Sequence, residues 1–151
     1  MRRRNLIIGG TAAAGLTAAG LTYWSERRST GKVVMAKSGP RRFTSSGGVV
    51  DVELTAARAR FRLGGREAIG MAFNGQVPGP RIEAHPGDTI RLTFHNALDD
   101  PTNLHYHGLH VSPSGRADNI FLRVPPGESL NYEFQIPKDH PAGLFWYHPH
   151  L

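Results

Sequence analysis

Cysteine is absent from all 151 residues. That excludes a disulfide framework, a thiolate zinc site, an iron–sulfur cluster and a thiol nucleophile. A blue-copper centre within the chain is excluded too, because such a site needs a Cys thiolate. Any metal here has to be held by histidine, carboxylate or water. Acids are scarce at the N-terminus: residues 1–42 carry nine Arg/Lys against Glu26 alone, a net of +8, whereas residues 43–151 carry nine against eleven acids, a net of −2. The overall charge of +6 therefore belongs to the leader, and the slightly acidic remainder gives no case for nucleic-acid binding. After residue 49 no segment has the 3.6-residue apolar period of an amphipathic helix, and no internal repeat is evident.

What the chain does have is turn formers. Its 18 Gly and 11 Pro favour an all-β protein, and its length allows one domain of ordinary size with a tail. Met1-Arg2-Arg3-Arg4-Asn5 is a cationic start followed by an Ala/Gly-rich apolar stretch to about Trp24. Residues 1–24 read as an export signal, and Arg3-Arg4-Asn5-Leu6-Ile7 is similar to the twin-arginine motif. The alternative is an N-terminal membrane anchor, since about 19 weakly apolar residues could just span a bilayer. In either case the protein is expected to be exported, to the periplasm or the cell exterior. Residues 25–48, polar and without hydrophobic period, are expected to be a flexible linker, with the domain at 49–151.

Within that domain Val50, Val52 and Leu54 alternate with polar residues, as a half-buried strand requires. Ala59, Phe61 and Leu63 alternate with Arg58, Arg60 and Arg62, which continues that strand or pairs it. Gly64-Gly65 predicts a turn, and 69–73 a short strand. Residues 74–80, with Pro78 and Pro80, predict an irregular loop. Ile90, Leu92 and Phe94 form the apolar face of a strand over 89–96; Leu130, Tyr132, Phe134 and Ile136 do so for 129–136. A polar loop over 112–119 and a last strand beginning at 144–147 complete an expected antiparallel β-sandwich of Greek-key character.

The chemistry is carried by four of the eight histidines, arranged as two His-x-His pairs: His105 with His107, and His148 with His150. On a strand, residues i and i+2 share a face roughly 6–7 Å apart. Each pair can thus present two imidazoles in one direction, and two pairs together make a nitrogen-only cluster suited to copper or zinc. Pro149 has no N–H, so His148-Pro149-His150 belongs at a strand end or edge. Taken alone, a His-x-His is as readily an exposed strand face. His85 and His95 read as surface residues, His110 as a surface residue or a support behind the ligands, and His140 as structural. Tyr106, Trp146 and Tyr147 read as packing residues rather than an electron path.

The Asn74-Gly75-Gln76-Val77-Pro78-Gly79-Pro80 stretch, the Pro86-Gly87-Asp88 turn, His105-Tyr106-His107-Gly108-Leu109 and Phe145-Trp146-Tyr147-His148-Pro149-His150 together resemble the first cupredoxin domain of multicopper oxidases. The resemblance covers about residues 50–151. It implies a cupredoxin-like (plastocyanin-like) Greek-key sandwich, incomplete at its C-terminal end. It also implies that His105 ligates a type-2 copper, that His107 and His148 bind one type-3 copper, and that His150 binds the other. In the family the three coppers reduce dioxygen to water with electrons from phenols, amines or metal ions. The other half of the ligands, and the type-1 copper, come from a later domain or a neighbouring subunit. This chain alone is therefore expected not to turn over. The competing expectations are a secreted, non-catalytic copper-binding module or inactive fragment, and a copper nitrite reductase, whose first domain does not use paired His-x-His motifs in this arrangement.

Overall fold

The computed structural model describes residues 33–35 and 42–151; the expected leader lies outside them. Nine strands are present and no helix occurs among the described residues: β1 (Val33–Met35), β2 (Arg42–Thr44), β3 (Val49–Leu63), β4 (Arg66–Phe73), β5 (Arg81–Glu83), β6 (Thr89–Asn96), β7 (His105–His107), β8 (Ser129–Gln135) and β9 (Trp146–His148). The main sheet runs β1-β3-β6-β8, with β4 also on β3; β2 pairs β5, and β7 pairs β9.

β3 is long because its apolar pattern never breaks; it only changes phase. Val50, Val52, Leu54 and Ala56 are buried, then Ala57 and Ala59, so the inward positions pass from even to odd at the two alanines. The first half runs parallel to β6, with Val50 opposite Ile90 and Leu54 opposite Phe94. The second half forms an antiparallel hairpin with β4, closed at Gly64-Gly65. Expectation and structure part on strand direction, since β1–β3, β2–β5 and β3–β6 are all parallel. A parallel pair needs a connection of a dozen residues or more, and residues 64–88, holding β4 and β5, supply it. The expected linker also differs: β1 and β2 both fall within residues 25–48. Short strands pairing on an existing edge need no hydrophobic period of their own.

Residues 74–80 are less irregular than their composition suggests. Asn74 and Gly75 both have positive φ (52° and 70°), the signature of a two-residue hairpin turn, and the Gln76 N–H returns to the Phe73 carbonyl. The Asn74 side chain accepts the Thr55 N–H at 2.7 Å and donates to the Glu53 carbonyl at 2.9 Å. It thereby stitches the turn to β3.

The core lies between the inner face of the main sheet and the β7–β9 ribbon. Tyr106 meets Phe134 at 4.7 Å and Tyr132 at 6.0 Å between ring centroids. On the other strand Tyr147 meets Phe73 at 5.2 Å, and Phe73 meets Phe94 at 6.4 Å. These aromatics fasten the ribbon to the sheet. The Tyr132 hydroxyl also accepts the Leu104 N–H at 3.1 Å, just ahead of β7. Phe94 is fully buried and central to this stack. Phe94→Ala is expected to cost about 3–5 kcal/mol, read as a lowered urea midpoint at unchanged slope; a loss under about 1 kcal/mol would contradict the packing described.

Candidate metal centre

The ribbon obeys the period of two. Tyr106 and Tyr147 face each other across the pair on the core side, so His105, His107, Trp146 and His148 fall on the other. In register, His105 is directly opposite His148, and His107 opposite Trp146. The ligand nitrogens of His105, His107 and His148 all lie within 4.8 Å of one another. The His150 ring lies 5.6 Å from that of His105. All four histidines singled out in the sequence are thus brought together: three form the tight group, and His150 reaches it through His105.

Hydrogen bonding settles which nitrogen can bind a metal. His105 Nδ1 lies 2.8 Å from Asp118 Oδ1. An ionised carboxylate can only accept, so Nδ1 carries the proton and Nε2 keeps its lone pair. His148 Nδ1 lies 2.8 Å from the Pro149 carbonyl oxygen, and a carbonyl likewise only accepts. His107 is held by packing, its ring stacked on Trp146 at 4.4 Å and 24°. Behind the ribbon, burial raises the pKa of Tyr106 and of Tyr147, so both phenols stay neutral. Tyr147 donates its hydroxyl to the Pro80 carbonyl at 2.8 Å, tying β9 to the end of the 74–80 loop. The Tyr106 hydroxyl is buried with no partner among the described residues.

Two residues that carry this site were not singled out in the sequence. Asp118 binds His105 and also accepts the Tyr106 N–H at 2.8 Å, fixing a ring and the adjacent backbone with one oxygen. Asn103, fully buried, accepts the His150 N–H at 2.8 Å. The only sequence signal for Asp118 is an acid in the polar loop after the first His pair; for Asn103 it is an amide two residues before His105. The last strand also begins later than expected. It starts at Trp146, and Leu144 is almost wholly exposed.

The remaining histidines stand apart. His140 is buried, with Nδ1 on the Pro141 carbonyl and Nε2 accepting the His110 N–H; both nitrogens are used, as a structural residue requires. His85 and His110 are exposed, and His95 pairs with Ser129 on the outer face of the sheet. Gly108, at φ +85°, ends β7 where an added Cβ would lie 3.1 Å from the Phe145 ring. An all-imidazole donor set, with Nε2 left free on His105 and His148, fits copper in either common oxidation state.

Residues 55–151 match the family model described as multicopper oxidase. Dihydrogeodin oxidase of Aspergillus terreus is 39% identical over 111 residues, covering 70% of this chain and 18% of its own length. Copper resistance protein A of Pseudomonas syringae pv. tomato is 31% identical over 151 residues, covering 97% and 23%. Among solved structures, a multicopper oxidase from Campylobacter jejuni, described as a metallo-oxidase, aligns with a TM-score of 0.63 at 31% identity, over 80% of this chain and 25% of that one. The chain spans about a fifth of the length of these curated relatives, and the shared fold is the cupredoxin-like one.

Removing the Nδ1 anchor leaves His105 free to rotate and to change tautomer. Asp118→Ala is expected to weaken metal binding about 10–100-fold, measured by competition with a chromogenic chelator. An unchanged affinity would show that the anchor is irrelevant to the site.

Proposed function

The chain belongs to the multicopper oxidase family, and from that premise we propose that its domain contributes half of the imidazoles of a trinuclear copper cluster reducing dioxygen to water. The observation that carries this reading is the gathering of both His-x-His pairs on one side of the β7–β9 ribbon. His105 serves the type-2 copper, His107 and His148 one type-3 copper, and His150 the other. Bound copper supplies one-electron steps by cycling between its two common oxidation states. The chain's own residues supply position. Asp118 and the Pro149 carbonyl hold the Nδ1 protons of His105 and His148, Trp146 stacks on His107, and the two inward tyrosines set the plane of the ribbon.

The rest of the cluster comes from a further cupredoxin domain or a neighbouring subunit. Exposed His107 and half-exposed Trp146 support a ligand face that is met from outside. Electrons come from a phenol, an amine or a metal ion; oxidase relatives such as dihydrogeodin oxidase support this class of chemistry. The cationic, apolar leader supports export to the periplasm or cell exterior.

A second reading, a secreted copper-binding module without turnover, draws on the tight three-histidine group, which needs no partner to assemble. The two readings separate in an oxygen electrode. The copper-loaded chain alone is expected to consume no oxygen with a phenolic substrate. Joined to a domain bearing the complementary His-x-His pairs and a type-1 site, it is expected to do so, with each of His105→Ala, His107→Ala, His148→Ala and His150→Ala lowering the rate at least about 100-fold. Uptake by the chain alone, or full activity of any of the four variants, would overturn the cluster assignment.

A further inference from the structure

His150 differs from the other three histidines in how it is held. The ribbon ends at His148, and Pro149 has no N–H to continue the ladder. Extending the observed register, in which His105 faces His148, places Asn103 opposite His150. At that position a side chain takes over from the backbone, with Asn103 Oδ1 accepting the His150 N–H at 2.8 Å. The same amide donates through Nδ2 to the Ile120 carbonyl at 2.8 Å and the Leu122 carbonyl at 3.1 Å. Asn103 is therefore oriented by its donors, which fixes which atom is the oxygen. It is fully buried, so the acceptor sits inside the fold although His150 itself is exposed.

We propose that Asn103 is a positioning residue for His150: its carboxamide, locked by the 120 and 122 carbonyls, captures the His150 N–H just beyond the end of the ribbon and so aims the fourth imidazole at the cluster. The proposal rests on the reading of His150 as a metal ligand. It makes the four-histidine site separable into two parts. His105, His107 and His148 are set by strand pairing, with an Asp118 anchor on His105. His150 is set by one amide, so loss of Asn103 disconnects His150 and leaves the other three in place.

The test follows the four imidazole rings by NMR in the 151-residue chain during titration with Zn2+, a diamagnetic stand-in for copper. In the unsubstituted chain the His150 amide is expected to exchange at least about tenfold more slowly than that of Leu151, and its ring resonance to move with added Zn2+. In Asn103→Ala that protection disappears, and His150 responds only at a Zn2+ concentration at least about tenfold higher, while the other three rings titrate as before. Asn103→Asp keeps an Oδ1 acceptor but loses the Nδ2 donors and sets a buried carboxylate against the 120 and 122 carbonyls, so it is expected to weaken the His150 response as Asn103→Ala does.

Four results overturn the proposal. In the unsubstituted chain it is overturned by a His150 amide that exchanges like a free peptide. It is overturned if Asn103→Ala leaves the His150 response unchanged. A His150 response in Asn103→Asp as strong as in the unsubstituted chain shows that the lock by the 120 and 122 carbonyls is irrelevant, and overturns it. A His150 ring that ignores Zn2+ in the unsubstituted chain, while its amide is protected, overturns the ligand reading, and the proposal with it. A protected amide and a responding ring that fails only on loss of Asn103 leaves the ligand reading standing.

Discussion

Everything at the candidate metal face depends on the register of one short antiparallel pairing, His105 opposite His148. Because side chains alternate along a strand, a slip of one residue by either strand would turn its tyrosine, Tyr106 or Tyr147, outward and drive its histidines toward the core. The slip is prevented from the core side. Tyr106 sits against Phe134 and Tyr132, and Tyr147 against Phe73, each pair worth about 0.5–1.5 kcal/mol beyond its area burial. Imidazoles on the outer face would find no comparable payment for burial. The hydrophobic core thus chooses the register, and the ligands inherit their direction from it.

Register fixes direction but not rotation. An imidazole on a correctly placed Cβ still has two torsions and two tautomers, and a metal needs one of each. His105 and His148 resolve this by giving Nδ1 to an oxygen that can only accept, Asp118 in one case and the Pro149 carbonyl in the other. His107 uses a flat neighbour instead, the Trp146 indole. Asp118 does double duty by also taking the Tyr106 N–H, so the anchor of the ring and the anchor of the strand cannot drift apart. The segment from 112 to 122, of which 112–119 reads only as a polar loop, is the frame behind the site: it supplies Asp118 to one histidine and the Ile120 and Leu122 carbonyls to Asn103.

This explains which parts were legible in the sequence. The His-x-His pairs and the alternation of Leu92 with Phe94, or of Tyr132 with Phe134, are local patterns, and a period of two can be read within a few residues. Asp118 and Asn103 act across separations of 13 and 47 residues, and no local pattern announces such a contact. Strand direction was equally hidden. The β3 and β6 patterns look the same whether the strands run parallel or antiparallel, and only the routing of residues 64–88 decides. The pairing of Arg42–Thr44 with β5 escaped because a three-residue edge strand borrows its stability from its neighbour. Asn74-Gly75 carried a turn signal, but the prolines that follow it dominated the reading.

The same geometry separates binding from turnover. Strand pairing and two accepting oxygens preset three imidazoles on an open face, which is what capture of an ion requires. Reduction of dioxygen to water requires four electrons delivered to the same place, and this chain, lacking cysteine, has no thiolate through which a type-1 copper could collect them. Under the proposed function, electrons therefore have to be collected outside these 151 residues. A ligand set that a rigid core points outward, with its protons already committed to Asp118 and Pro149, can be completed by a second protein surface without rearranging its own half.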